Sequence, residues 1–338
     1  MTAKSSDNLP DYARNAINLA SAGLGARAID VTDQFFAPLA RMLAPSDPVF
    51  IPDKYDDNGK WMDGWETRRR RNGGHDIGTI ALAARGRITG FNVDTRHFTG
   101  NNAPACRIEA CDILTDPNAT TRWTEILPTV PLDPDSEHFF ACGNDQLWTH
   151  LRLHIYPDGG VARLRVFGEP YLDPERVANE EIDLAASLNG GRGLAYSDSH
   201  YGSIQQLLAP GRGENMGDGW ETRRRRKPGY DWAIIELGAR GTVSRVVVDT
   251  AHFKGNYPDA CAIQAADLTS FSGNLNDAIV SSSLFWETLL PLKKLSADTE
   301  HVFSGSDEIE SIGPVTHVRL NIFPDGGISR LRLFGRVA

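Results

Sequence analysis

Two stretches of this sequence bring acid, base and amide side chains close together. Val93-Asp-Thr95 runs into His97-Phe98 and Gly100-Asn101, and Val248-Asp-Thr250 runs into His252-Phe253 and Gly255-Asn256. Asp94 or Asp249 can there orient His97 or His252 as general base or acid, a role worth about 10²–10⁴-fold in rate. The plainer alternative is a capped turn in which the aspartate accepts backbone amides. His75 and Arg96 add polar groups to the first stretch where Tyr230 and Ala251 stand in the second, which favours the first copy for chemistry. Glu137-His138 and Glu300-His301 are further acid–base pairs, although a Glu-His pair on a strand is also ordinary polar surface.

A second motif supplies cations. Asp63-Gly-Trp-Glu-Thr-Arg-Arg-Arg-Arg71 recurs unchanged at Asp218 to Arg226. On a strand, Arg69 and Arg71 share one face while Arg68 and Arg70 share the other with Glu66. A guanidinium can fork onto a ligand carboxylate, which points to a small anionic substrate. The competing reading is a solvated ion-pair network with Glu66 and nearby carboxylates. No H-E-x-x-H, paired C-x-x-C or H-x-H pattern is present, so no metal or other cofactor is identifiable and a divalent metal is left open. G-x-S-x-G is missing and no cysteine has an activating setting, which sets nucleophilic catalysis aside.

The elements that must position these groups are duplicated. Asp63 to Asp112 aligns without a gap on Asp218 to Asp267, an offset of 155, with 28 of 50 positions identical. The match resumes at Trp123 with Trp286, at Thr149-His150 with Thr316-His317 and at Pro157-Asp-Gly-Gly160 with Pro324-Asp-Gly-Gly327. It closes on Arg163-Leu-Arg165 with Arg330-Leu-Arg332, and opens with Leu43-Ala-Pro45 on Leu208-Ala-Pro210. Each copy is far longer than a solenoid repeat and is expected to fold as a unit. Residues 1–168 and 182–338 are read as the two domains and the polar stretch 169–181 as their linker.

Short alternating segments define the class. Leu151, Leu153 and Ile155 lie on one face of a predicted half-buried strand, with His150, Arg152 and His154 on the other. Val318, Leu320 and Ile322 repeat the pattern, and both copies then enter Pro-Asp-Gly-Gly turns. Ile234 to Leu237, Val243 to Asp249 and Ala260 to Ala265 are further β-branched runs between Gly-rich breaks, and helical periodicity is confined to pieces such as Phe35 to Leu43. The expectation is all-β: two tandem jelly-roll sandwiches of the galactose-binding-like or discoidin-like kind.

A chain of 338 residues with net charge −9 lacks the basic surplus that nucleic acid demands, so the arginine runs need another explanation. Neither a signal peptide nor a membrane span is legible, and the protein is expected to be soluble and cytoplasmic, with no membrane partner. Cys106, Cys111, Cys142 and Cys261 are read as reduced, buried thiols; Cys106 and Cys261 occupy one slot in two domains.

The doubled Gly-Trp-Glu-Thr-Arg-Arg, each followed by Gly-x-Asp and then by Val-Asp-Thr-x-His-Phe-x-Gly-Asn, resembles the allantoicase family. Asp33-Gln-Phe-Phe36 and the Pro-Asp-Gly-Gly hairpins extend the likeness over nearly the whole chain. One departure is Ile77 after Gly74-His-Asp76, where the family's Trp survives only as Trp232. The resemblance implies hydrolysis of allantoate to ureidoglycolate and urea in purine and allantoin degradation. Allantoate carries one carboxylate and a central carbon bearing two ureido nitrogens, so the cleavage needs a proton for the departing urea and a base for water. An arginine for the carboxylate, Asn101 or Asn256 for a ureido carbonyl and an Asp/His or Glu/His pair for proton traffic would suffice. Two rivals remain: a non-catalytic sandwich that binds a ureide or carbohydrate, and a scaffold whose Arg-Glu faces join copies into a homo-oligomer.

Overall fold

A computed structural model describes residues 9–14, 16–271 and 275–338, with the backbone alone for 275–277. The chain divides into two compact units, the first ending at Tyr171 and the second beginning at Leu172.

Each unit is built around one long strand, Asp76–Asp94 in the first and Asp231–Asp249 in the second. These strands are too long for one flat sheet, and the register shows how each serves two layers. Asp76 to Arg87 pairs with Leu147–Tyr156 and with Arg27–Val31, whereas Gly86 to Asp94 pairs with Arg163–Pro170 and Glu137–Ala141. Bulges at His150 and at Phe167–Gly168 take up the bend. Ala105–Cys111, Thr124–Pro131 and Ile17–Asn18 complete the eight-stranded sheet, whose strand pairings are all antiparallel. The second unit repeats the order strand for strand, so the described chain is two jelly-roll sandwiches.

Alternation places Leu151, Leu153, Ile155, Ile108 and Val93 in the first core and Val318, Leu320, Ile322, Ile263 and Val248 in the second. Burying such side chains stabilises by about 1.5–3 kcal/mol each. The expected polar face of the 147–156 strand is more covered than alternation alone implies, since His150 and His154 are both buried. Cys106 and Cys261 fill the same core slot as free thiols, and burial pushes both up to about 12. Cys142 departs from the expectation in being only half-buried. In the Phe35 to Leu43 segment the helical piece is a short 3-10 turn, Leu39–Leu43.

The polar stretch 169–181 is structured. Glu169 and Pro170 finish a strand, Tyr171 donates its backbone N–H to Arg85 O, and Asp173 caps the helix Pro174–Asn179, whose Val177 packs into the second core. Among the described residues no helix is long and apolar enough to cross a membrane.

Candidate active site

The doubled Trp-Glu motif is not a long strand of alternating arginines. Only Trp65–Glu66 is strand, paired with Gly160–Val161 beyond the Pro-Asp-Gly-Gly turn. Trp65 is fully buried and donates its indole N–H to Asp33 O at 2.9 Å, which fixes the strand in depth. Gly160 must be glycine, because a Cβ there would lie 2.0 Å from the Phe98 ring. This close approach seats the loop after Asp94 on the hairpin, where Gly160 donates its N–H to Asn101 O at 2.7 Å. Asn101 Nδ2 in turn donates to Glu66 Oε1 at 2.7 Å. Glu66 is thereby held nearly buried, and loss of hydration raises its carboxyl above the usual range against the opposing Asn101 hydrogen bond.

A cavity of about 440 Å³ opens over this pair. Its polar lining is Glu66, Asn101, His97, Thr99, Asp135 and Lys60, and Phe36, Phe50 and Met62 supply the apolar wall. His97 has a left-handed backbone, φ 72°, which a non-glycine residue holds only under constraint. The constraint is Asp135, whose Oδ1 accepts the His97 backbone N–H at 2.7 Å. The imidazole donates Nε2–H to Pro48 O at 3.2 Å and stacks on Phe50, leaving Nδ1 as a lone pair. Lys60 Nζ lies 4.5 Å from the Phe50 ring centre and pairs with no carboxylate among the described residues. The segment carrying Phe50, Lys60 and Met62 is tied down by Arg163, whose guanidinium is 1% exposed. It donates to Ser46 O and Asp63 O at 2.9 Å each and to Asp63 Oδ2 at 2.7 Å.

The allantoicase-repeat family model matches residues 17–171 and again 182–338. A probable allantoicase of Rhizobium meliloti (strain 1021) is 61% identical over 98% of this chain and 96% of its own, and one of Stutzerimonas stutzeri (strain A1501) is 56% identical over 95% and 96%. The crystal structure of allantoicase from Saccharomyces cerevisiae is 36% identical and superposes with a TM-score of 0.78, covering 95% of this chain and 93% of that one. The chain belongs to the allantoicase family. It is accordingly a hydrolase.

Against this allantoicase frame the candidate residues of the sequence separate. His97 and Asn101 line the cavity. Asp94 does not orient His97: it accepts the Arg96 backbone N–H at 2.8 Å and Arg96 Nη2 at 2.6 Å, so the capped turn is the geometry found. Arg96 also approaches Glu137 at 3.5 Å, and Glu137 accepts Asn92 Nδ2 at 3.0 Å. His138 is tied at both ring nitrogens, donating Nδ1–H to Val93 O at 2.9 Å and accepting the Asp133 N–H at 2.8 Å. A ring so occupied pins the turn and has no free nitrogen for proton transfer; His301 repeats both bonds. Arg68 pairs with Asp33 and Arg70 with Asp76, each at 2.6 Å, whereas Arg69 and Arg71 are exposed and none of the four lines the cavity. Glu66 bonds Asn101 rather than the arginine run. His75 also lies outside the lining and bonds His154 instead. Among the described residues no group of three or more His, Cys, Asp or Glu forms a metal-binding cluster.

The second allantoicase repeat keeps the frame and alters the mouth. Asn256 Nδ2 donates to Glu221 Oε1 at 2.5 Å, and His252 again has a left-handed backbone, φ 71°, fixed by Asp298. Asp249 caps its turn through the Ala251 N–H. Met216 Sδ, however, lies 3.9 Å from Asn256 Nδ2, where the first repeat has open volume. The cause is length: Pro45 to Asp63 is ten residues longer than Pro210 to Asp218, and the extra chain contains the Tyr55–Asp56 and Gly59–Lys60 hairpin. Glu66, Lys60, Thr99 and Asp135 are the polar cavity residues that motif reading did not place in a site. The unequal loop length was the signal available for Lys60; Asp135 had none, because it arrives from 38 residues beyond His97.

Proposed function

We propose that this chain hydrolyses allantoate to ureidoglycolate and urea, a carbon–nitrogen cleavage, in the cavity of the first repeat. The observation that carries the reading is a nearly buried carboxyl, Glu66, facing the same volume as a lone-pair imidazole, His97, and an uncompensated cation, Lys60. The names borne by the relatives support the substrate.

The groups divide the work. Lys60 takes the substrate carboxylate; it is an exposed side chain at the cavity, with its ammonium 4.5 Å from the Phe50 ring centre. Glu66 retains its proton further up the pH scale than an exposed glutamate, so it can protonate the departing urea nitrogen. His97 Nδ1 takes a proton from water as the water oxygen bonds to the central carbon and the carbon–nitrogen bond breaks. Return of that proton from His97 to Glu66 through solvent completes the cycle. Asn101 orients Glu66, and Asp135 holds His97 in its constrained backbone.

The direct test is urea release by the full chain. Allantoate is turned over and allantoin, the closed ring without a free carboxylate, is not. Equal turnover of both would show that no group reads the carboxylate.

A further inference from the structure

The two repeats also differ on the outer face of the sheet, away from the cavity. In the first repeat Glu109 Oε2 accepts His154 Nε2–H at 2.9 Å, and His154 Nδ1 accepts His75 Nε2–H at 2.9 Å. A carboxylate at the head of this chain sets both tautomers, leaving His75 Nδ1 as a lone pair. Tyr156 packs against His75 with ring centres 4.4 Å apart and the rings tilted by 36°. Arg107 bonds Glu109 at 3.1 Å, and Arg152 lies over the Trp123 ring at 4.3 Å with no hydrogen-bond acceptor among the described residues. Arg107 Nε, Arg152 Nε and Trp123 Nε1 are all buried donors without a partner, although Glu109 and Glu125 both pair with the Arg107 guanidinium.

The second repeat shows the same face filled. Tyr230, Ala262, Gln264 and Asn321 replace His75, Arg107, Glu109 and His154. Arg319, the counterpart of Arg152, is 2% exposed and donates to Ser283 Oγ and Asn321 Oδ1. The helix Leu275–Ser282 precedes Ser283, and its Ile279 packs with Trp286 and Ile234 over the sheet. The connection from Asp112 to Trp123 is eight residues shorter than that from Asp267 to Trp286 and has no helix, so Arg152 stays half-exposed.

We propose that this face of the first repeat is a second ligand site, taking a small α-hydroxy or α-ureido carboxylate. The carboxylate supplies the missing acceptor to Arg152, and the neighbouring O–H or N–H donates to His75 Nδ1. The product class proposed for the cavity has this chemistry, but the site stands independently of that reading. Burial and the nearby Arg107 and Arg70 hold His75 below the ordinary imidazole value, which keeps its Nδ1 an acceptor at neutral pH.

The test is titration of the full chain with glycolate, followed by isothermal calorimetry and by the imidazole nitrogen signals of His75 and His154 in NMR. Glycolate shifts both signals; acetate, lacking the hydroxyl, and glycolamide, lacking the charge, each bind about 10-fold more weakly. A variant carrying H75Y, R107A, E109Q and H154N installs residues the second repeat already folds with, and in calorimetric titration it loses glycolate binding while keeping urea release. Lys60→Gln leaves the response intact. Glycolate binding unchanged in the fourfold variant, binding abolished by Lys60→Gln, or acetate binding as well as glycolate would each overturn the proposal.

Discussion

Replacing Glu66 by Gln, and separately Glu221 by Gln, separates chemistry from architecture. Gln keeps the size of Glu and an oxygen that can accept Asn101 Nδ2, now at 2.7 Å, or Asn256 Nδ2, so neither change removes the hydrogen bond that seats the loop. What is lost is the exchangeable proton. If Glu66 protonates the departing urea, kcat falls by about 10²–10⁴-fold, or roughly 3–5 kcal/mol of barrier. Glu221, with Met216 over its asparagine, changes kcat by less than about 3-fold, the scatter expected of a neutral surface change. Stability gives a second readout with a fixed sign. The folded Glu66 carboxyl is raised above its unfolded value, so its contribution is fully present below the usual carboxylate range and is lost as pH rises through the folded value. Gln loses nothing over that interval, so the Tm of Glu66→Gln, relative to the unmodified chain, climbs as pH rises above the usual carboxylate range. Urea release and thermal unfolding across this range check both. Equal loss of turnover in the two variants, or none in Glu66→Gln, would refute the assignment of the acid to the first repeat.

Lys60→Gln raises KM for allantoate by about 10–100-fold with a smaller change in kcat, the size of a charged hydrogen bond, and Lys60→Arg recovers part of the loss. Steady-state urea release measures it, and an unchanged KM removes Lys60 from substrate binding. Arg163→Met leaves Asp63 partly buried without its cation and lowers stability by about 3–5 kcal/mol, read by guanidinium chloride unfolding. Gly160→Ala drives a methyl into the Phe98 ring and costs about 1–3 kcal/mol; Gly327→Ala does the same against Phe253. Matched thermal shifts in these two variants are expected, since both glycines meet their rings at 2.0 Å.

The sequence by itself determined the class and the frame. Alternation at Leu151, Leu153 and Ile155 and at Val318, Leu320 and Ile322 specifies strands because a pleated backbone sends neighbouring side chains to opposite faces. Self-similarity specified the doubling, and the sequence places His97 and Asn101 on one loop, which in the structure lines the cavity. Roles that depend on which atoms meet across the sheet were not legible. Asp94 sits three residues before His97, yet its carboxylate turns to Arg96 because the i+2 backbone N–H captures one oxygen and sets the direction of the other. His138 and His301 read as acid–base candidates, and only the neighbouring strand showed that Val93 O and Val248 O already hold them. Glu66 looked like a partner for the arginine run and became a buried carboxyl because the strand ends after it and Asn101 reaches it from 35 residues away. Arg69 and Arg71 read as carboxylate receptors on a strand that does not extend that far, and Lys60 is the cation facing the cavity. Hydrogen-bond partners distant in sequence are set by register and loop length, and a one-dimensional pattern carries the period of an element without its neighbours.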